Sequence, residues 1–439
     1  MKNYLLRIET YGIKNIKDKV SINFNNETIK LVKEKNKSVK AIFGLNGSGK
    51  SALINSIKFY KKIVYKNNIL INDNDVNLFK KVINNEIKEY YFKIYFLNCY
   101  KNKKTVYSHE VLIKMQYDIF YIASEKLEII KGQTVNSDER KTIYSVENGK
   151  LHFDYKDELN DIIKEKTQNL LDKSSLISLV CFTQLFDTLV NVIENDEKYT
   201  KDDDADGILN HIAPLVELIS EVNVYLEGDD DFENSINFKL QSKDGSGNDI
   251  IHINISSYED KILKTQLSYY IKQLDKQTEF IKIFKPKLIK IDPDIKEDGE
   301  YLRIKKIFNY GNYTVDSEFE STGIKKLMSL FNFIEDAFKG KIVFIDEMDA
   351  NINGVFLDKL LEYFIESGTG ILCFTSHNYE PMSVLRKEKG ALLFLGETGK
   401  LVSLPKNGNS NPVNYYKDGM VEDSPFNIET YDFAKIFLP

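Results

Sequence analysis

The stretch Val39-Lys40-Ala41-Ile42-Phe43-Gly44-Leu45-Asn46-Gly47-Ser48-Gly49-Lys50-Ser51 decides the fold of this chain. Its first residues are apolar enough for a buried strand. Gly44 to Ser51 fit the pattern G-x-x-x-x-G-K-[ST], and Ser51 to about Tyr60 keep helical spacing. Glycines in such a loop let the backbone curl until its N–H groups face one anion. The helix that follows adds its positive end to the same spot. Gly44, Asn46, Gly47, Ser48, Gly49, Lys50 and Ser51 are therefore the expected phosphate-binding residues. Lys50 would reach the β- and γ-phosphates, and the Ser51 hydroxyl would ligate Mg²⁺.

A phosphate loop needs a second set of residues for the metal and the attacking water. Lys341-Ile342-Val343-Phe344-Ile345-Asp346-Glu347 reads as a buried strand that ends in two acids. Ligands of parallel sheets lie at strand carboxyl ends. Asp346 is the expected Mg²⁺ partner and Glu347 the expected general base. A third strand, Gly370 to Ser376, delivers His377, which could hydrogen-bond the γ-phosphate or the water. Ser321 and Thr322 can cap a helix with apolar residues at Ile324, Leu327, Met328, Phe331 and Ile334. With Gly323 they form a small-residue helix start, a second candidate anion site.

The chain has 439 residues, 60 Lys and Arg against 66 Asp and Glu, and a net charge of −6. That balance argues against a broadly basic nucleic-acid binder. Cys99, Cys181 and Cys373 lie far apart and match no metal or redox spacing, as in a reducing cytoplasm. Met1 to Glu9 lacks the apolar core of a signal peptide, and no apolar run is long enough to span a bilayer. Residues 1–65 read as the first half of a nucleotide-binding core, with strands Tyr4 to Glu9 and Lys19 to Phe24. Residues 66–155 read as an antiparallel β-meander. Its candidate strands are Tyr91 to Asn98, Val106 to Met115, Tyr117 to Ala123, Glu125 to Ile130 and Lys141 to Glu147, with turns at Asn102-Lys103 and Asn148-Gly149. Residues 156–285 read as a mainly helical insertion that includes a helix from about Ser257 to Phe280. Residues 286–439 return to the core and end in an aromatic, irregular tail from Pro412. The acidic runs Asp202 to Asp204 and Asp229 to Asp231 read as solvated loops, and Gln241 to Asp249 as a hairpin loop.

Taken together, Gly44 to Ser51, Phe319 to Leu327, Ile342 to Ala350 and Thr375 to Asn378 resemble ABC-class ATPases. The branch is the soluble AAA-named one, related to the overcoming-lysogenization-defect ATPases. The resemblance implies an α/β P-loop NTPase of ABC-ATPase head type, with a mixed sheet, an antiparallel β-subdomain and a mainly helical insertion. It implies ATP and Mg²⁺ as cofactors and slow, regulatory hydrolysis. It also implies a dimer or larger oligomer in which Ser321, Thr322 and Gly323 of one copy face the phosphate loop of another. Asp349 would belong to the loop that crosses that interface. A serine and two glycines are usual where this chain has Ser321-Thr322-Gly323, and Leu-His-Pro where it has Ala350-Asn351-Ile352. Gln116 and Gln184 are candidates for the Mg²⁺-contacting glutamine. About 60 residues follow His377, too few for an appended nuclease domain on ordinary size priors.

The expected role is that of a sensor or scaffold for a separate effector, a toxin or nuclease, in anti-phage defence. It would be similar to the ATPase subunit of the phage anti-restriction-induced system, with a phage protein as trigger. The alternative is a DNA-repair or DNA-organising ATPase. A metabolic kinase is the third reading, and the Ser321 helix weighs against it.

Overall fold

The computed structural model describes residues 2–34, 37–101, 103–154, 158–195, 207–227, 259–388, 390–396, 398–403 and 412–417. The acidic runs and the Gln241 to Asp249 loop lie outside the described residues, as do Asn102 and the tail beyond residue 417. In chain order the first strands are β1 (Lys2–Tyr11), β2 (Val20–Asn23), β3 (Ser38–Phe43), β4 (Glu89–Tyr100), β5 (Lys103–Gln116), β6 (Ile119–Ile130), β7 (Arg140–Glu147) and β8 (Lys150–Phe153). They are followed by β9 (Val222–Tyr225), β10 (Glu259–Leu263), β11 (Lys290–Asp298), β12 (Tyr301–Asn309), β13 (Thr314–Asp316), β14 (Ile342–Ile345), β15 (Ile371–Thr375), β16 (Leu392–Leu395) and β17 (Leu401–Ser403). The helices are α1 (Lys50–Tyr65), α2 (Asp73–Val82), α3 (Glu158–Thr167), α4 (Leu176–Cys181), α5 (Gln184–Asn195), α6 (Ile208–Ser220), α7 (Leu267–Phe284), α8 (Thr322–Phe338), α9 (Gly354–Ser367), α10 (Pro381–Leu385) and α11 (Pro412–Lys417). The chain is thus mixed α/β. It divides into two units, Met1–Val222 with Gly390–Pro439, and Asn223–Lys389.

In the first unit the period-two segments form one antiparallel sheet in the order β2-β1-β4-β5-β6-β7-β8. The N-terminal strands and the meander therefore share a sheet. Tyr117 and Asp118 are not strand residues. They form the two-residue turn between β5 and β6, both at positive φ (50° and 61°), the conformation that the right-handed strand twist favours in tight hairpins. Asn148-Gly149 turns the chain in the same way, as its sequence suggests. Asp73–Val82 falls inside the stretch read as meander, yet it folds as α2, whose N-cap Asn72 accepts from the Asn74 and Asp75 amides.

Helix α1 meets this sheet through a fully buried polar network. The Tyr60 ring stacks on Phe92 with centroids 4.3 Å apart, and its hydroxyl lies 2.7 Å from His109 Nδ1. His109 Nε2 lies 3.1 Å from Glu125 Oε1, which also accepts from Tyr144 Oη (2.8 Å) and Ser175 Oγ (2.7 Å). The other Glu125 oxygen accepts the Leu176 amide at 2.8 Å. A buried carboxylate survives only when its lone pairs are met in this way. Here they tie α1, three strands and the start of α4 together.

The same unit holds β3, parallel to β16, with β17 antiparallel to β16. Ala41, Ile42 and Phe43 are fully buried, as expected of a parallel strand covered on both faces. The start of the tail is a short helix, α11, and not extended chain. Its Tyr416 is buried and stacks on Phe394 with centroids 5.0 Å apart.

In the second unit β14 runs parallel to β15, and β9 lies on the other side of β14. A separate antiparallel sheet has the order β10-β12-β11, with β13 paired to β12. Helices α7 and α8 share a core with it around Tyr270, Leu274, Ile291, Phe308, Leu327 and Met328. The helix expected from about Ser257 begins only at Leu267, because Glu259–Leu263 pairs with β12 instead. Strand pairing turns Asp260 inward, where it accepts from Tyr270 Oη (2.7 Å) and pairs with the fully buried Lys306 at 2.8 Å. That buried pair would be lost if the segment coiled into the helix.

Candidate functional site

The phosphate loop follows β3 directly. A Cβ at Gly44 would lie 2.4 Å from the Leu395 carbonyl oxygen, so only glycine fits where the loop leaves the strand. Gly47 and Gly49 sit at φ of 83° and 105°, the left-handed region that glycine enters without strain. Gly49 is the N-cap of α1. No side chain caps that helix, and its first turn carries no acid, which leaves amides free to face an anion. Lys50 is buried, with Nζ donating to the carbonyls of Gly44 (2.8 Å) and Leu45 (2.9 Å). Asn15, in the turn after β1, donates to the Gly47 carbonyl at 2.7 Å and braces the loop from outside. Ser48 Oγ is buried with no hydrogen-bond partner among the described residues. A buried hydroxyl without a partner costs about 1–3 kcal/mol. Ser51 follows in the first turn of α1, while Asn46 and Gly47 lie exposed at the loop tip.

The acidic residues belong to the second unit. Strand β14 is buried throughout and is followed by Asp346, itself nearly inaccessible. Thr375, the last residue of β15, donates from Oγ1 to Asp346 Oδ1 at 2.6 Å and accepts the Glu347 amide at 2.7 Å. The Asp346 amide donates to the Tyr225 carbonyl at 2.9 Å. Glu347 is held at φ 48°, an uncommon conformation for a side chain of its size. Its carboxylate is half-exposed and lies 3.8 Å from His377 Nε2. Asp349 accepts from the backbone amides of His377 (3.1 Å) and Asn378 (2.8 Å), so this acid fixes the loop that carries the histidine. Asp346, Glu347, Asp349 and His377 thus come together at one strand-end cluster.

Ser321 is the N-cap of α8, with Oγ accepting the Ile324 amide at 3.4 Å. Glu320 accepts the Ser321 amide and is held by Lys285 (3.0 Å) and Tyr310. Burial acts against its ionisation, but these partners hold its carboxyl below the usual range. Ser321 and Thr322 are exposed. A Cβ at Gly323 would lie 2.4 Å from the Asn351 carbonyl oxygen, so the start of α8 rests directly on the segment after the acids. Gln116 ends β5 beside the hairpin turn, and Gln184 opens α5.

Two residues escaped the sequence reading. Thr375 falls in the Thr375 to Asn378 motif, but no role is read for it there, and its hydroxyl is the available signal. Lys326 is not among the apolar positions read for its helix, yet its side chain is almost fully buried inside the second unit.

The loop geometry and the orphaned Ser48 hydroxyl fit a nucleotide phosphate chain. The acids fit Mg²⁺, which is held by one or two carboxylates together with phosphates and waters rather than by a protein cage. No group of three or more His, Cys, Asp or Glu side chains that could hold a metal ion by itself is present among the described residues.

No family model and no curated protein matches this chain. Among solved structures it is similar to the crystal structure of the SmcHead bound to the C-winged helix domain of ScpA. The TM-score is 0.39 at 15% identity, over 92% of this chain and 98% of that one. No helix among the described residues is long and apolar enough to cross a membrane.

Proposed function

We propose that this chain is an ABC-type ATPase head that binds and slowly hydrolyses ATP and closes around it with a second copy of itself. The phosphate loop carries the reading: one glycine with no room for a Cβ and two at positive φ, an uncapped helix start, and a buried serine hydroxyl without a partner among the described residues. In this reading Gly44 to Ser51 hold the triphosphate, and Ser51 with Asp346 holds Mg²⁺. Glu347 takes the proton of the attacking water. His377 hydrogen-bonds the γ-phosphate or that water. Ser321, Thr322 and Gly323 of the second copy complete the site. When bound, Mg²⁺ neutralises charge on the β- and γ-phosphates. The chain's own contribution is to orient the phosphates, position the base and exclude bulk water.

The larger role is a sensor or scaffold that holds a separate effector, a toxin or nuclease, until a phage protein triggers release. Support for it comes from the motif set, which resembles that of defence ATPases. Closure around ATP would be the coupling step.

The deciding experiment uses Glu347→Gln. It should retain ATP binding, lose turnover and accumulate a dimer by light scattering. A monomer at every ATP concentration overturns the two-copy reading. Co-purification of a small toxin or nuclease from the native operon supports the effector role. Salt-dependent capture of DNA in its place supports the DNA-organising alternative.

A further inference from the structure

Helix α8 carries one residue that neither its amphipathic pattern nor the site assignment explains. Lys326 is buried in the second unit, its side chain 3% exposed. Its ammonium lies 4.5 Å from the centroid of the Tyr225 ring and pairs with the Glu227 carboxylate. Tyr225 is also the residue whose carbonyl accepts the Asp346 amide at 2.9 Å, and its ring packs edge-on against Phe333 of the same helix. The cation is therefore held on the ring of the last residue of β9, the strand that neighbours β14 and its acids. The carboxylates of Glu347, Asp346 and Asp349 all act on it. Even so, burial is the larger influence and pulls the ammonium down to about 8. A buried lysine charge is costly unless it is paired, and here the pairing carboxylate is the half-exposed Glu227.

We infer that Lys326 is a positioning residue whose fixed charge stands in for the metal, balancing the acid cluster until a divalent cation arrives and opposing that cation's entry. The inference rests on the proposed assignment of Asp346 to Mg²⁺. Glu227 works against Lys326: by pairing with the ammonium it draws the charge away from the acids. The two residues therefore set metal affinity in opposite directions. Like charges in poorly solvated surroundings repel strongly enough for one ammonium to shift a divalent cation's affinity by about tenfold.

The test titrates Mn²⁺ into the full chain carrying a non-hydrolysable ATP analogue and follows the free-ion electron paramagnetic resonance signal. Lys326→Met, which keeps the apolar stem, should tighten Mn²⁺ binding by about tenfold. Lys326→Arg, which keeps the charge, should tighten Mn²⁺ binding less than Lys326→Met does. Glu227→Gln, at a more exposed site, should weaken Mn²⁺ binding, and it serves as the test if Lys326→Met does not fold. A loss of packing alone would not give opposite signs in the two variants. Unchanged Mn²⁺ affinity in both overturns the inference, as does weaker binding in Lys326→Met. Lys50→Ala separates the two readings. If it leaves analogue binding untouched, the nucleotide assignment has failed and the inference with it. If it abolishes analogue binding while Lys326→Met leaves Mn²⁺ affinity unmoved, only the role of Lys326 has failed.

Discussion

Lys50 rests on the carbonyls of Gly44 and Leu45, residues of its own loop. Asp346 and Glu347, by contrast, are held by Thr375, 29 and 28 positions away on a different strand. The phosphate loop is shaped by backbone: two glycines at positive φ, one under a carbonyl, and a helix start left open. The acid cluster is shaped by side chains, through one threonine hydroxyl and one aspartate that accepts two amides. A backbone-built site tolerates few substitutions in the loop itself but depends on few side chains elsewhere, here Asn15. A side-chain-built site can be loosened from a distance, because each acid's position depends on a partner elsewhere.

That contrast can be broken in several places. The largest expected effect is in the loop. Lys50→Ala should abolish ATP binding by calorimetry, and unchanged affinity would refute the phosphate assignment. Next comes Ser321→Arg, which puts a large charged side chain at an exposed helix start. ATP binding should survive and turnover should fall by at least about a hundredfold, since the arginine would stand where the second copy closes. Full turnover would exclude that helix from the site.

The buried network beneath α1 offers a third comparison, now of stability. Glu125→Ala leaves His109, Tyr144 and Ser175 facing a void and should cost about 3–5 kcal/mol in urea unfolding. Burial acts against ionisation of Glu125. The hydrogen bond and charge of His109, with Ser175 and the Leu176 amide, outweigh it and hold the carboxyl below its ordinary value. A carboxyl depressed on folding stabilises above its unfolded value, near pH 4.3, and loses that contribution as pH falls through the folded value. The stability gap between parent and variant should therefore be widest at neutral pH and narrow in acid. A gap that widens in acid would mean that Glu125 is neutral in the folded protein.

The smallest effect is expected where side chains carry the site. Thr375→Val keeps the shape of β15 but removes the hydroxyl shared by Asp346 and the Glu347 amide. Turnover should drop by about tenfold with ATP affinity nearly unchanged, and Thr375→Ser should restore it. If valine is as active as threonine, the acids are placed by the strand alone, and the contrast with the phosphate loop disappears.

Much of this molecule was legible in its residues. The glycine spacing from Gly44 to Ser51 gave the loop, because the conformations it needs belong to glycine alone. The apolar runs gave β3, β14 and β15, and alternation gave most strands of the first antiparallel sheet to within a few residues, although Tyr117 to Ala123 and Glu125 to Ile130, read as two strands, are from Ile119 onward the single strand β6. The difficult positions share a cause. The segment Glu259–Leu263 is strand because Asp260 meets Lys306 across the sheet, a pairing that its local helical spacing does not encode. Asp73–Val82 is a helix too short for its pattern to stand out among strands. Tyr117 is a turn residue despite its preference for strands, because the register of β5 against β6 places it at the bend.

By itself, then, the sequence determined whatever depends on near neighbours: the curl of the phosphate loop, the strand–loop–helix unit around it, and the capped start of α8. Tertiary structure alone decided what depends on partners far along the chain. It chose Thr375 to steady the acids, turned Asp349 onto the amides beside His377, and put Lys326 inside rather than out. The physical reason is reach. Backbone torsions are set within a few residues, whereas hydrogen bonds and charges act through space between segments that only folding brings within a few ångströms.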